Sequence, residues 1–168
     1  MFYRRCVLIL LIISALLLPL PSCAMSTAEP LDVLEKIKSA EIPLPAGNIY
    51  FSSAAAGEEG YLPPSLAAAM FGGESPEELS LAESYAFFIS AGKLPSEFLV
   101  FRCYAASDTP SVASLCHARL DALRSYYTDT EHSHYTENAT VTIIGKYVIM
   151  AVSSDPENAI SAAKKAIR

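Results

Sequence analysis

Residues 141–152 read VTIIGKYVIMAV, and the parsing of this stretch decides the fold. Two apolar, β-branched runs, 141–144 and 147–152, flank the pair Gly145-Lys146. A two-residue loop opening on glycine suits a tight hairpin, whose turn needs a positive φ that other residues resist. The stretch therefore reads as two antiparallel strands. Directly after it, Asp155-Pro156-Glu157 offers a capping oxygen, a proline at the first helical position and an acid in the first turn. A final helix follows, with Ile160, Ala163 and Ile167 on its inner face.

The same order occurs once more upstream. Residues 85–90 (YAFFIS) and 97–104 (EFLVFRCY) have strand composition and are joined by the loop GKLPS at 92–96. Thr109 before Pro110 then opens a long helix to about Tyr127. Its apolar stripe is Val112, Cys116, Leu120, Leu123 and Tyr127, with Arg119, Asp121 and Arg124 turned to water. Residues 128–138 read as polar connection. Two strand–strand–helix units predict an α+β domain: an antiparallel sheet with the helices layered on one face. This is not the alternating strand–helix order of a parallel nucleotide-binding sheet.

The strands carry apolar side chains on both faces. Phe98, Val100 and Tyr104 oppose Leu99, Phe101 and Cys103, and Tyr147, Ile149 and Ala151 oppose Val148, Met150 and Val152. A sheet with one wet face alternates instead, so the second face needs a cover, either residues 31–83 or a partner. Exposed apolar patches of that size are rare, which favours the intramolecular cover. Residues 31–40 (LDVLEKIKSA) have helical spacing, 48–53 (NIYFSS) suit a short strand, 54–60 (AAAGEEG) a loop, and 64–71 (PSLAAAMF) a turn or two of helix. Ser75-Pro76-Glu77-Glu78 has the form of a capping box opening another short helix.

The N-terminus has a different character. Arg4 and Arg5 precede an apolar run from Cys6 to Leu18, Pro19 interrupts it, and no acid occurs before Glu29. A run of about 13 residues with basic residues ahead of it matches a secretory leader and falls short of the roughly 20 needed to span a bilayer. Residues 1–22 are read as a leader, 23–30 as a tether and 31–168 as one domain. Leu20-Pro21-Ser22-Cys23 resembles a lipobox, which implies that Cys23 is diacylated with palmitate-type chains and becomes the mature N-terminus. Pro21 departs from that pattern, and ordinary cleavage after Ala24 is the alternative. Removing Arg4 and Arg5 leaves 10 basic against 18 acidic residues and moves the formal charge from −6 to −8. An acidic exported domain with scattered lysines has no electrostatic basis for binding nucleic acid.

From about residue 31 onward, and most firmly from residue 83, the chain resembles a family of small uncharacterised lipoproteins of Gram-positive bacteria, defined as a domain of unknown function. The likeness rests on ESYAFFIS, on EFLVFRCY with the helix after it, and on VTIIGKYVIMAVSSDPENA. It implies a lipid-anchored domain on the extracytoplasmic side of the cell membrane and supports Cys23 as the acylated residue. Its motifs are structural, so it brings no catalytic residue, ligand or cofactor.

Candidate chemistry is sparse. His132 and His134, with Asp129 or Glu131, are the one metal-like cluster, but they fall in the polar connection, without the rigid third and fourth ligands of a zinc site. No Gly-x-Ser-x-Gly elbow occurs, and the three histidines lack marked acidic partners. Cys103 and Cys116 form a candidate disulfide worth roughly 3 kcal/mol, or else a pair of small buried thiols in one layer. No catalytic residue, metal site or cofactor is assigned. The expectation is a membrane-anchored binding or interaction module with an unidentified protein or small-molecule partner; the alternative is a cell-envelope hydrolase.

Overall fold

A computed structural model describes residues 28–40, 44–72 and 76–168. The leader, Cys23 and the tether up to residue 27, and Ser75 of the expected capping box, lie outside the described residues.

The elements in chain order are α1 (Pro30–Lys38), β1 (Gly47–Phe51), α2 (Pro64–Phe71), a 3-10 turn (Glu77–Leu81), β2 (Ala82–Ser90), β3 (Glu97–Cys103), a second 3-10 turn (Ala106–Asp108), α3 (Thr109–Tyr127), α4 (Ser133–Glu137), β4 (Thr140–Ile144), β5 (Tyr147–Val152) and α5 (Pro156–Ile167). The strands form one five-stranded antiparallel sheet in the order β1-β2-β3-β5-β4. The fold is α+β. Gly145, at φ 59°, makes the β4–β5 turn, and Ile144 pairs with Tyr147 across it. Asp155 caps α5 by accepting from the Asn158 amide at 3.0 Å.

Period-two alternation divides the sheet into two dry faces. Ala86, Phe88, Phe98, Val100, Ile149 and Ala151 pack with Val33, Leu34 and Ile37 of α1 and with Ala159, Ile160, Ala163 and Ile167 of α5. Phe87, Leu99, Phe101, Val148 and Met150 pack with Ala67 and Met70 of α2 and with Val112, Cys116, Leu120 and Leu123 of α3. The layering thus differs from the expected single helical face: the helices of the two strand–strand–helix units lie on opposite faces, and the segment before β2 contributes one helix to each. The physical reason lies in the strands. Because both faces are apolar, each must be covered, and one helix per face cannot span five strands.

Two other expectations are corrected. Arg119 does not turn to water. It forms a two-pronged ion pair with Glu97, whose side chain is 3% exposed. The polar connection 128–138 contains α4, in which Thr136 is buried and its carbonyl accepts from Arg124 Nε at 3.2 Å. A helical turn there satisfies backbone groups that this burial would otherwise strand.

Candidate functional site

The sheet has two edges, and β1 forms one of them. Its hydrogen-bonding phase follows from its ends. The Ser52 amide donates to the Tyr85 carbonyl at 3.1 Å and the Ala91 amide to the Ala46 carbonyl at 2.9 Å, both toward β2. In an antiparallel ladder the amide and carbonyl of one residue point the same way and alternate along the strand. Even-numbered residues of β1 therefore bond β2, and Gly47, Ile49 and Phe51 direct their backbone groups outward. Phe51 confirms the phase: its amide donates to the Gly60 carbonyl at 2.8 Å, so the loop after β1 closes that end. The outward backbone groups of Gly47 and Ile49 have no partner among the described residues.

This open edge is the floor of a groove of about 610 Å³. Leu31 and Glu35 of α1 line it, as do Glu59 and Gly60 of the loop at its Phe51 end. Glycine is required at both ends. A Cβ on Gly47 would lie 2.6 Å from the Phe88 ring and from the Ile89 carbonyl oxygen. Gly60 has φ 86°, and a Cβ there would lie 2.1 Å from the Phe51 ring. These contacts let the loop lie tight against the strand.

At Leu31 and Phe51 the groove runs into a second depression of about 520 Å³, lined also by Glu29, Asp32, Ser52, Glu83 and Tyr85. A register shift between Ala82 and Ser84 marks a bulge at Glu83, whose carboxylate lies 3.1 Å from Arg102 Nε. Arg102 also reaches Glu29 at 2.8 Å, and the Tyr147 hydroxyl donates to the Ala28 carbonyl at 2.7 Å. These contacts clamp the entry to α1 onto the sheet. Tyr85 stacks on Phe87 at 4.6 Å, and its phenol pKa is raised by burial and by Tyr61.

The electrostatics of the surface are one-sided. Glu29, Asp32, Glu35, Glu59 and Glu83 line the two depressions, and among the described residues no lysine, arginine or histidine does. Lys38 pairs with Glu35, and Arg102 with Glu29 and Glu83. Asp32 and Glu59 have no ion-pair partner among the described residues. The opposite edge differs. The groove between β4 and α5 holds Glu157 and Lys164, a balanced pair.

The side chains singled out from sequence lie elsewhere. Cys103 and Cys116 are fully buried free thiols in the same apolar layer, over α3's face of the sheet. Burial, then the Asp108 charge, pushes the Cys103 thiol up to about 11, and burial pushes Cys116 higher still. His132 lies 3.5 Å from Glu131, and His134 Nδ1 lies 3.2 Å from the Glu131 carbonyl in the turn leading to α4. Among the described residues no three metal-ligating side chains converge, and no helix is long and apolar enough to cross a membrane. Cys23 is outside the described residues.

Sequence reasoning did not single out the groove. Its signals were present in the short strand ahead of the acidic turn Glu58-Glu59-Gly60 and in Glu35 on the wet side of α1, but nothing local says that they share one surface. No protein-family model, curated protein or solved structure matches the chain.

Proposed function

We propose that this protein is a lipid-anchored extracytoplasmic binding module whose working surface is the groove along β1. The observation that carries the reading is the row of outward backbone groups at Gly47 and Ile49, which lies in a walled, acidic depression. A sheet edge is ordinarily blunted by lysine, proline or a covering element. Here the covering loop stops at Phe51 and leaves the remainder open within a concave surface. The groove offers hydrogen bonds, an apolar wall at Leu31 and negative charge, which is the equipment of a binding surface.

The leader pattern supports the anchor. With Cys23 acylated, four residues lie between it and Ala28, and the five steps along the chain reach at most about 18 Å. Ala28 is clamped beside the second depression, so the surface would work close to the membrane.

Site-specific photocrosslinking on intact cells tests the reading. A photoreactive residue at position 49 or 59 should give discrete adducts, and one at position 165 on α5, outside the groove, should not. Adducts absent from both groove positions, or equal at all three, would overturn it.

A further inference from the structure

We infer that the ligand of this groove is an extended, cationic peptide segment that adds to the sheet as a sixth strand beside β1; the inference rests on the groove reading above. Three observations converge on it.

The first is hydrogen-bond phase. Gly47 and Ile49 each turn an amide and a carbonyl toward the groove, two residues apart, whereas both outward groups of Phe51 are taken by the loop, its amide by the Gly60 carbonyl and its carbonyl by the Ala54 amide. Only another extended backbone presents donors and acceptors at that repeat, about 6.8 Å per two residues. A globular surface or a compact small molecule does not. Strand addition is an established mode of peptide recognition, in which main-chain bonds supply affinity and alternate side chains supply specificity.

The second is shape. The groove is bounded by α1 and, at its Phe51 end, by the loop at Glu59 and Gly60. The Phe51–Gly60 bond closes the edge at one end, so the free ladder is short. This fits a single short segment and opposes the indefinite edge-to-edge pairing that a long flat edge invites.

The third is charge. Ile49 and Phe51 pack on α1's face of the sheet, and side chains of an added strand alternate between the same two faces. Every second peptide residue would therefore project toward Leu31 and Glu35, with Glu59 at the end of the run. Among the described residues no cationic side chain lines the groove. Lysine or arginine at those alternate positions is complementary, and an acidic residue there would be repelled. The β4 edge is also open, but its flanking groove is charge-balanced and selects no such partner.

The experiment uses the full chain, purified in mild detergent, and a positional-scanning library of extended octapeptides. The expected result is enrichment of Lys and Arg at positions two apart. Binding of the selected peptide should shift the amide resonances of Gly47 and Ile49 and weaken as salt rises. The peptide is then N-methylated at one backbone position at a time. Methylation at alternate positions should cut affinity at least tenfold, and methylation at the intervening positions should change it less than threefold. This test leaves the protein untouched. Glu35→Gln with Glu59→Gln, both on the surface, should lower affinity about tenfold and flatten the salt dependence. Ile49→Pro should abolish binding, while Ile49→Ala, which keeps the amide, should retain it. Shifts at Gly47 and Ile49 without a period-two response to methylation would overturn strand addition and leave the binding groove standing. A selected peptide that leaves both amides unmoved would overturn the two together. Enrichment of acidic residues, or of none, would overturn the proposed ligand chemistry.

Discussion

Arg119 holds Glu97 with two hydrogen bonds, Nε to Oε1 at 3.0 Å and Nη2 to Oε2 at 2.8 Å, across 22 residues of sequence. The pair ties the first residue of β3 to the middle of α3 and satisfies a carboxylate that water barely reaches. Taking one partner away leaves an uncompensated buried charge, which costs far more than the pair itself contributes. Arg119→Ala should destabilise the fold by about 3 kcal/mol. Replacing both, Arg119→Met with Glu97→Leu, should cost distinctly less, because no charge is left stranded. Urea denaturation of the three proteins measures the difference, and a double variant worse than Arg119→Ala would contradict the account.

The thiols give a pH dependence with a definite sign. Cys103 has a folded-state pKa raised from 9.0 to about 11 by burial, and Cys116 is raised further. A group whose folded pKa lies above its unfolded value stabilises fully below the unfolded value and loses that contribution as pH rises through the folded one. Stability should therefore fall between about pH 9 and pH 11. Cys103→Ala with Cys116→Ala should show a shallower fall, and this comparison separates the thiols from tyrosine titration in the same range. At pH 8 both thiols should react with a disulfide reagent only after denaturation; rapid native-state labelling would contradict their burial.

The close approach of Gly60 to the Phe51 ring makes the groove's end wall sensitive to a single methyl group. Gly60→Ala places a Cβ 2.1 Å from that ring at a backbone φ of 86°. The ring or the loop must move, at a cost of about 2 kcal/mol. The Phe51 amide should lose its bond to the Gly60 carbonyl and exchange with solvent faster. Gly57→Ala is the control for the same loop: its φ is also positive, at 91°, but a Cβ there meets nothing within 4 Å. It should leave the Phe51 amide protected, and equal deprotection in both variants would remove packing as the cause.

If Cys23 carries two acyl chains, membrane attachment is hydrophobic, at about 0.8 kcal/mol per buried CH₂, and two chains hold where one is marginal. The protein should then stay with membranes through a high-salt wash. Cys23→Ala should abolish metabolic fatty-acid labelling and give uncleaved precursor or released protein, with the domain still folded. An unmodified N-terminus at Met25, recovered from the medium, would instead establish ordinary secretion.

Most of the strands and helices were legible from local pattern. Gly145-Lys146 between two apolar runs, Thr109-Pro110 ahead of an apolar stripe and Asp155-Pro156-Glu157 each settle a turn or a helix start within a few residues. Such signals act through backbone conformation and hydrogen bonding close in sequence, so they can be read without knowing what the chain packs against. The short helix Ser133–Glu137 escaped because its residues are polar, and the burial of Thr136 comes from tertiary packing.

The sequence by itself determined that the domain is α+β, that its strands are apolar on both sides and that both faces must therefore be covered. It did not determine which helix goes where. Period-two alternation names two faces but leaves open which one each helix packs on, and only the three-dimensional packing sends α1 and α5 to one side and α2 and α3 to the other. The same limit applies to charge. Arg119 reads as a wet residue on its helix until β3 brings Glu97 beneath it. Glu35 and Glu59 read as ordinary solvated acids until the fold sets them in one groove along an open strand edge. Ladder phase, burial and the convergence of distant carboxylates are relations between segments, so they arise only when the sheet is assembled.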